Sequence, residues 1–210
     1  SWRGLRVWVV GASSGIGLAA AEQLIGLGAT VLVSARSEAG LQALVDRHTR
    51  PRQPAPVQAW PMDVTDARAV ALTARAVLAE GPVDLVLFCA GHYRALRAEA
   101  FDLAEMQRHM AINYGGALNL LDALLPAMIA RGQGHISLVS SVAGYRGLPQ
   151  ALAYGPTKAA LIMPTQRVPE MRFSQRAGGP NSASCHGESD TVPSQRERPL
   201  EGSSWVAIKK

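Results

Sequence analysis

Tyr154 and Lys158 stand four positions apart in the stretch Tyr154-Gly155-Pro156-Thr157-Lys158. In a helix that spacing puts both side chains on one face, one turn apart. A phenol with an ordinary pKa of about 10 is a poor acid at neutral pH, but a neighbouring ammonium favours the phenolate and brings that pKa down. The pair is therefore a candidate proton donor with its tuning charge. A second chemical signal lies near the start of the chain, where Gly11-Ala12-Ser13-Ser14-Gly15-Ile16-Gly17 follows an apolar run and opens an amphipathic one. Gly11, Gly15 and Gly17 let the backbone turn sharply and approach a pyrophosphate, which the free N–H groups and dipole of the helix start stabilise. Ser13, Ser14 and Ile16 belong to the same candidate dinucleotide loop.

Further candidates follow other apolar runs. In Ser34-Ala35-Arg36, Ala35 occupies the position where an NAD enzyme carries a carboxylate for the ribose 2′-hydroxyl, and Arg36 offers a planar fork to a 2′-phosphate. This favours NADP over NAD, against the alternative that Arg36 is a solvated surface charge. Asp63-Val64-Thr65 and Cys89-Ala90-Gly91 are weak signals alone, since an Asp there is usually a helix cap and a Gly a turn. Ser141 follows the run His135 to Ser140, and Asn113 sits midway along a long helical pattern.

The elements that must hold these residues alternate. Apolar runs at Leu5 to Val10, Thr30 to Ala35, Val57 to Met62, Leu85 to Phe88 and His135 to Ser140 read as strands. Amphipathic patterns at Ile16 to Leu27, Glu38 to Arg47, Ala67 to Ala79 and Leu103 to Ala130 read as helices between them. Strand and helix in alternation imply right-handed crossovers and an α/β, doubly wound parallel sheet, a Rossmann fold. Ligands in such sheets bind beyond the carboxyl ends of the strands, which is where the residues above fall.

The G-x-x-x-G-x-G spacing, with Ser141 thirteen positions before Tyr154 and Lys158 four after it, resembles the short-chain dehydrogenase/reductase family over about residues 4 to 163. The resemblance implies hydride transfer between NADP(H) and a small-molecule carbonyl or alcohol. In it Tyr154 is the general acid/base, Lys158 tunes it and grips the ribose, and Ser141 orients the substrate, with Ser140 the neighbouring alternative. Asn113 braces the site through a bound water in a proton relay. Asp63 and Val64 are expected near the adenine, with Ala90 and Gly91 at the floor of the cofactor pocket. Two departures are Val10, where the family usually has Thr, and Cys89, where it usually has Asn.

The chain has 210 residues, 48% hydrophobic and 18% charged, which suits one globular domain. Its net charge of +5 comes without a dense basic run, so no nucleic-acid partner is expected. Two cysteines give no disulfide framework, and the five histidines show no ligand spacing, so no metal is expected. No stretch is long and apolar enough to cross a membrane and no secretory signal is read, so a cytoplasmic location is expected.

After Met163 the texture changes to Pro, Ser, Gly and Arg without a long apolar run, and only Trp205 to Ile208 reads as a strand. Residues 1–163 are thus the expected catalytic domain and 164–210 an atypical, poorly ordered tail, leaving the sheet incomplete at its C-terminal edge. Pro164 and Pro169 should interrupt the helix carrying Tyr154 and Lys158, which commonly forms the family's dimer interface, so a homo-oligomer stays open. Two alternatives remain beside the oxidoreductase reading: a truncated or frame-altered relative with weak or no activity, and a nucleotide-binding non-enzyme with an interaction tail.

Overall fold

A computed structural model describes residues 2–49 and 56–162, together with the backbone of residues 171–172 and 203–209. Five parallel strands form the sheet in the order β3-β2-β1-β4-β5: β1 (Arg6–Val10), β2 (Thr30–Ser34), β3 (Val57–Ala59), β4 (Leu85–Phe88) and β5 (Gln133–Val139). Helices α1 (Gly15–Gly26), α2 (Glu38–His48), α3 (Ala67–Ala79), α4 (Leu103–Met110), α5 (Gly116–Arg131) and α6 (Tyr154–Ile162) connect and flank them. This is the doubly wound α/β architecture expected from the alternation.

Strand residues alternate between two apolar layers. Val7, Val9, Val31 and Val33 pack with Leu24, Leu41 and Leu44 of α1 and α2 on one face. Trp8, Val10 and Leu32 pack with Val70, Ala74, Leu120 and Leu124 of α3 and α5 on the other. The pleat directs neighbouring side chains to opposite faces, so a strand covered on both reads as a nearly unbroken apolar run. Trp8 is fully buried, and its indole N–H donates to Ser34 Oγ at 2.9 Å, which removes the cost of an orphaned donor.

Helix starts follow side-chain chemistry. Ser37 accepts from the Gly40 amide at α2, Asp66 from the Ala69 amide at α3, and Asp102 from the Glu105 amide at α4. At α1 the N-cap Ser14 makes no side-chain cap, so the first-turn amides face outward without an internal acceptor.

The long pattern Leu103 to Ala130 is not one continuous α-helix. A π-helical turn, Ala111–Gly115, separates α4 from α5 and contains Asn113. Such single-turn bulges shift the following residues around the helix axis and recur at functional sites. Apolar periodicity is blind to this, because one extra residue in a turn barely disturbs the pattern.

The expected gap at the β5 edge is partly filled. The backbone of β7 (Ser203–Lys209), which includes the strand-like Trp205 to Ile208, runs antiparallel to β5, with β6 (Met171–Arg172) beyond it. A mixed sheet with an antiparallel edge is a common variant of this architecture. Residues 163–170 and 173–202, with Pro164, Pro169 and most of the expected poorly ordered tail, lie outside the described residues. Among the described residues, no helix is long and apolar enough to cross a membrane.

Candidate active site

Sheet order turns outward in both directions from β1 and β4, and in open α/β sheets the ligand crevice lies beyond the carboxyl ends of the strands at such a switch point. The residues singled out by spacing converge there. Gly11 leaves β1 at φ +92°, and a Cβ on it would come within 2.4 Å of the Ala90 amide nitrogen. Gly17 in α1 lies so close to the loop that a Cβ would meet the Gly11 carbonyl oxygen at 2.2 Å. Both contacts require glycine, and the second presses helix against strand. Gly15 differs: its φ is +57°, and a Cβ there would meet nothing within 4 Å. The loop therefore presents a concave, side-chain-free face beside the uncapped start of α1, the shape and polarity that suit a pyrophosphate. Ser13 is half-buried in this loop, while Ser14 and Ile16 are exposed.

Arg36 is exposed just past β2, next to the buried Ala35. Asp63 spends one carboxylate oxygen on the Thr65 amide and hydroxyl, at 2.9 and 2.8 Å, which shapes a tight turn. Val64 is buried and its carbonyl accepts from Asn119 Nδ2 at 2.9 Å, so α5 pins this turn in place.

Tyr154 begins α6 and Lys158 lies one turn on, its Nζ 5.4 Å from the tyrosine ring centroid. Nζ donates to the Val139 carbonyl at 2.9 Å, tying α6 to the end of β5. Burial brings the Lys158 pKa down to about 8. Burial also raises the Tyr154 pKa above its ordinary value; a hydrogen bond with the Ser141 side chain opposes this, and the neighbouring Tyr93 adds to it. The pull of Lys158 anticipated from the spacing thus does not prevail over burial in this geometry.

The two serines divide the work between them. Ser140 is buried and its hydroxyl donates to the Lys158 carbonyl at 2.8 Å, committing it to the helix backbone. Ser141 accepts from the Ala143 amide at 3.2 Å, and its side chain acts to lower the Tyr154 pKa. Asn113 is fully buried; its Oδ1 accepts from the His92 amide at 2.6 Å, and its Nδ2 donates to the His92 carbonyl and to Thr157 Oγ1, both at 3.0 Å. Gly91 adjoins both ends of this arrangement, since a Cβ on it would lie 3.6 Å from Asn113 Oδ1 and 3.8 Å from Lys158 Nζ. At Cys89, burial pushes the thiol up to about 11, so it is protonated at neutral pH.

Two features escaped sequence reasoning. His92 and His109, scattered along the sequence, meet around Glu105 with ligand atoms within 4.8 Å of one another. Only the Glu105/His109 spacing of four on α4 was available as a signal, and His92 reaches them from the loop after β4. Thr157, one position before Lys158, links Asn113 to the Tyr154 carbonyl, to which it donates at 2.7 Å. A cavity of about 720 Å³ lies on the neighbouring surface, between the loop at Leu96 to Glu99 and the segment Ala143 to Leu152. Its lining includes Ala143, Gly144, Gly155 and Pro156, neighbours of Ser141 and Tyr154 in the chain.

Residues 6–171 match the family model for short chain dehydrogenase. An uncharacterized oxidoreductase of Mycobacterium tuberculosis is 36% identical over 163 residues, covering 76% of this chain and 48% of that protein. The chain thus spans about half the length of such curated relatives. A short-chain dehydrogenase from Streptomyces avermitilis superposes with a TM-score of 0.71 at 34% identity, over 77% of this chain and 58% of that one. A gluconate 5-dehydrogenase from Burkholderia cenocepacia, solved with NADP and tartrate, gives a TM-score of 0.71 at 29% identity, over 78% and 65%. With its parallel sheet, glycine loop and Ser141, Tyr154 and Lys158 gathered at one crevice, the chain belongs to the short-chain dehydrogenase family.

Proposed function

We propose that this protein is an oxidoreductase that moves a hydride between NADP(H) and a small carbonyl or alcohol compound. The observation that carries the reading is the Tyr154 phenol under the influence of the Ser141 side chain, with Lys158 one turn away and Asn113 held behind Gly91. A bound nicotinamide supplies the hydride. The residues of the chain supply the proton and the alignment. Ser141 holds the carbonyl oxygen against the phenol, and burial keeps Tyr154 protonated at neutral pH, ready to donate to that oxygen as the carbonyl carbon is reduced. Lys158, whose ammonium form persists below about pH 8, stabilises the phenolate that remains. Asn113 keeps α6 and the loop after β4 in register through its three hydrogen bonds.

Gly11, Ser13, Ser14, Gly15, Ile16 and Gly17 cradle the pyrophosphate, with Asp63, Val64, Ala90 and Gly91 along the nucleoside. Arg36 pairs with the 2′-phosphate, a preference supported by its exposure beside the apolar Ala35 and by the NADP bound in the Burkholderia relative. The test is NADPH consumption against a panel of aldehydes and ketones, in the parent and in Tyr154→Phe. Turnover of at least one carbonyl that disappears in the variant is expected; turnover that survives in Tyr154→Phe removes the tyrosine from the reaction.

A second reading is a relative that holds nucleotide without turning over a substrate. Nucleotide binding with no turnover of any panel member would favour it.

A further inference from the structure

Helix α4 carries a buried acid that the reaction above does not use. Glu105 is 5% exposed, and one of its oxygens is hydrogen-bonded to His92 Nε2. A carboxylate is costly to bury without partners, and the hydrogen bond from His92 is the largest influence holding this one below the ordinary carboxylate range.

The backbone of the same His92 grips Asn113 at two points, accepting from Nδ2 and donating to Oδ1. Two contacts to one planar amide fix both its position and its flip. The remaining Nδ2 hydrogen reaches Thr157, and Thr157 reaches the Tyr154 carbonyl. Two hydrogen-bonded segments, joined through the covalent frame of His92, therefore link Glu105 to the first residue of α6.

The His92, Glu105 and His109 trio has ligand-like spacing, but its donors are taken. His109 Nδ1 bonds the Glu105 carbonyl at 2.8 Å, and its Nε2 accepts from the Arg94 amide at 3.1 Å. The Arg94 guanidinium, 3.4 Å from the second Glu105 oxygen, repels a cation at that carboxylate. The cluster reads as a closed brace.

We propose that Glu105 is a positioning residue which, by anchoring the His92 side chain, sets the orientation of the Asn113 amide at the active site. The inference rests on the catalytic reading above for its functional meaning, although the brace itself is measurable without turnover. In the ¹⁵N-labelled full chain, Glu105→Leu is expected to cut exchange protection of the His92 amide about tenfold and to move the Asn113 side-chain amide resonances. Glu105→Gln keeps an acceptor oxygen and should restore both. If Glu105→Leu fails to fold, His92→Phe removes the same contact from a side chain 21% exposed and carries the same expectation.

With any carbonyl the parent reduces, kcat should fall in Glu105→Leu while the KM for NADPH stays within about twofold, since the glycine loop is unaltered. A folded Glu105→Leu or His92→Phe with parental His92 protection and parental Asn113 resonances overturns the proposal. Stoichiometric Co²⁺ binding to the parent, with tetrahedral absorption bands lost in Glu105→Gln, also overturns it in favour of a metal site. Parental brace signals in a chain without turnover would leave the brace standing and remove the enzyme reading instead.

Discussion

At the β1 end of the crevice, Gly11 and Gly17 touch neighbouring backbone so closely that a single methyl group has no room, and Gly15 leaves its face bare. At the α6 end, Asn113, Thr157, Lys158 and Ser140 are buried polar groups, each tied to the backbone or to another side chain. The first wall is specified by steric exclusion and the second by hydrogen-bond satisfaction. Backbone shape suits a ligand held through its phosphates, whereas desolvated side chains are what shift pKa values and move protons. Changes to the two walls should therefore fail differently.

The largest effect is expected at the polar wall. Tyr154→Phe should lower kcat by about 10²–10⁴-fold, the usual contribution of a positioned acid, and leave NADPH affinity and thermal stability near parental values. A similar loss of affinity would place the tyrosine in nucleotide binding and blur the contrast. At the glycine wall, Gly17→Ala should cost about 1–3 kcal/mol of stability through overpacking against the Gly11 carbonyl, together with loss of nucleotide binding. Calorimetry and a fluorescence titration read the two arms, and unchanged stability would mean that the loop yields where the packing says it is rigid.

Lys158 sharpens the comparison through pH. Its folded pKa of about 8 lies below the ordinary 10.5 because burial disfavours the ammonium. Between these values the unfolded chain binds more protons than the folded one. Stability should therefore rise with pH across that window, by at most about 1.4 kcal/mol per unit, and Lys158→Met should lose this rise. Carbonyl reduction should decline above about pH 8 as the ammonium is lost. A lysine that titrates near 10.5 by NMR would show the site to be wetter than its packing indicates.

How much of this was legible depended on the kind of constraint. Local rules reached the glycine loop and the Tyr154/Lys158 pair, because a turn needing positive φ and a helical repeat of four both leave marks in neighbouring residues. The five parallel strands were readable because burial on both faces makes each an apolar run. Asn113 was found only through the family resemblance, and its π-helical turn leaves no periodic trace. The His92–Glu105 contact was hidden because it joins a loop after β4 to α4, a proximity that only the folded chain creates. Ser141 was preferred to Ser140 through the family spacing, and what the sequence did not show is that the Ser140 hydroxyl is committed to the Lys158 carbonyl.

The most direct test of the central claim is titration of the chain with NADPH and NADH by nicotinamide fluorescence, repeated with Arg36→Ala. The account predicts saturable NADPH binding, weaker NADH binding, and about a tenfold loss for NADPH alone in the variant, the scale of one charge-assisted contact of about 1.4 kcal/mol. Absence of saturable binding for either nucleotide would contradict it.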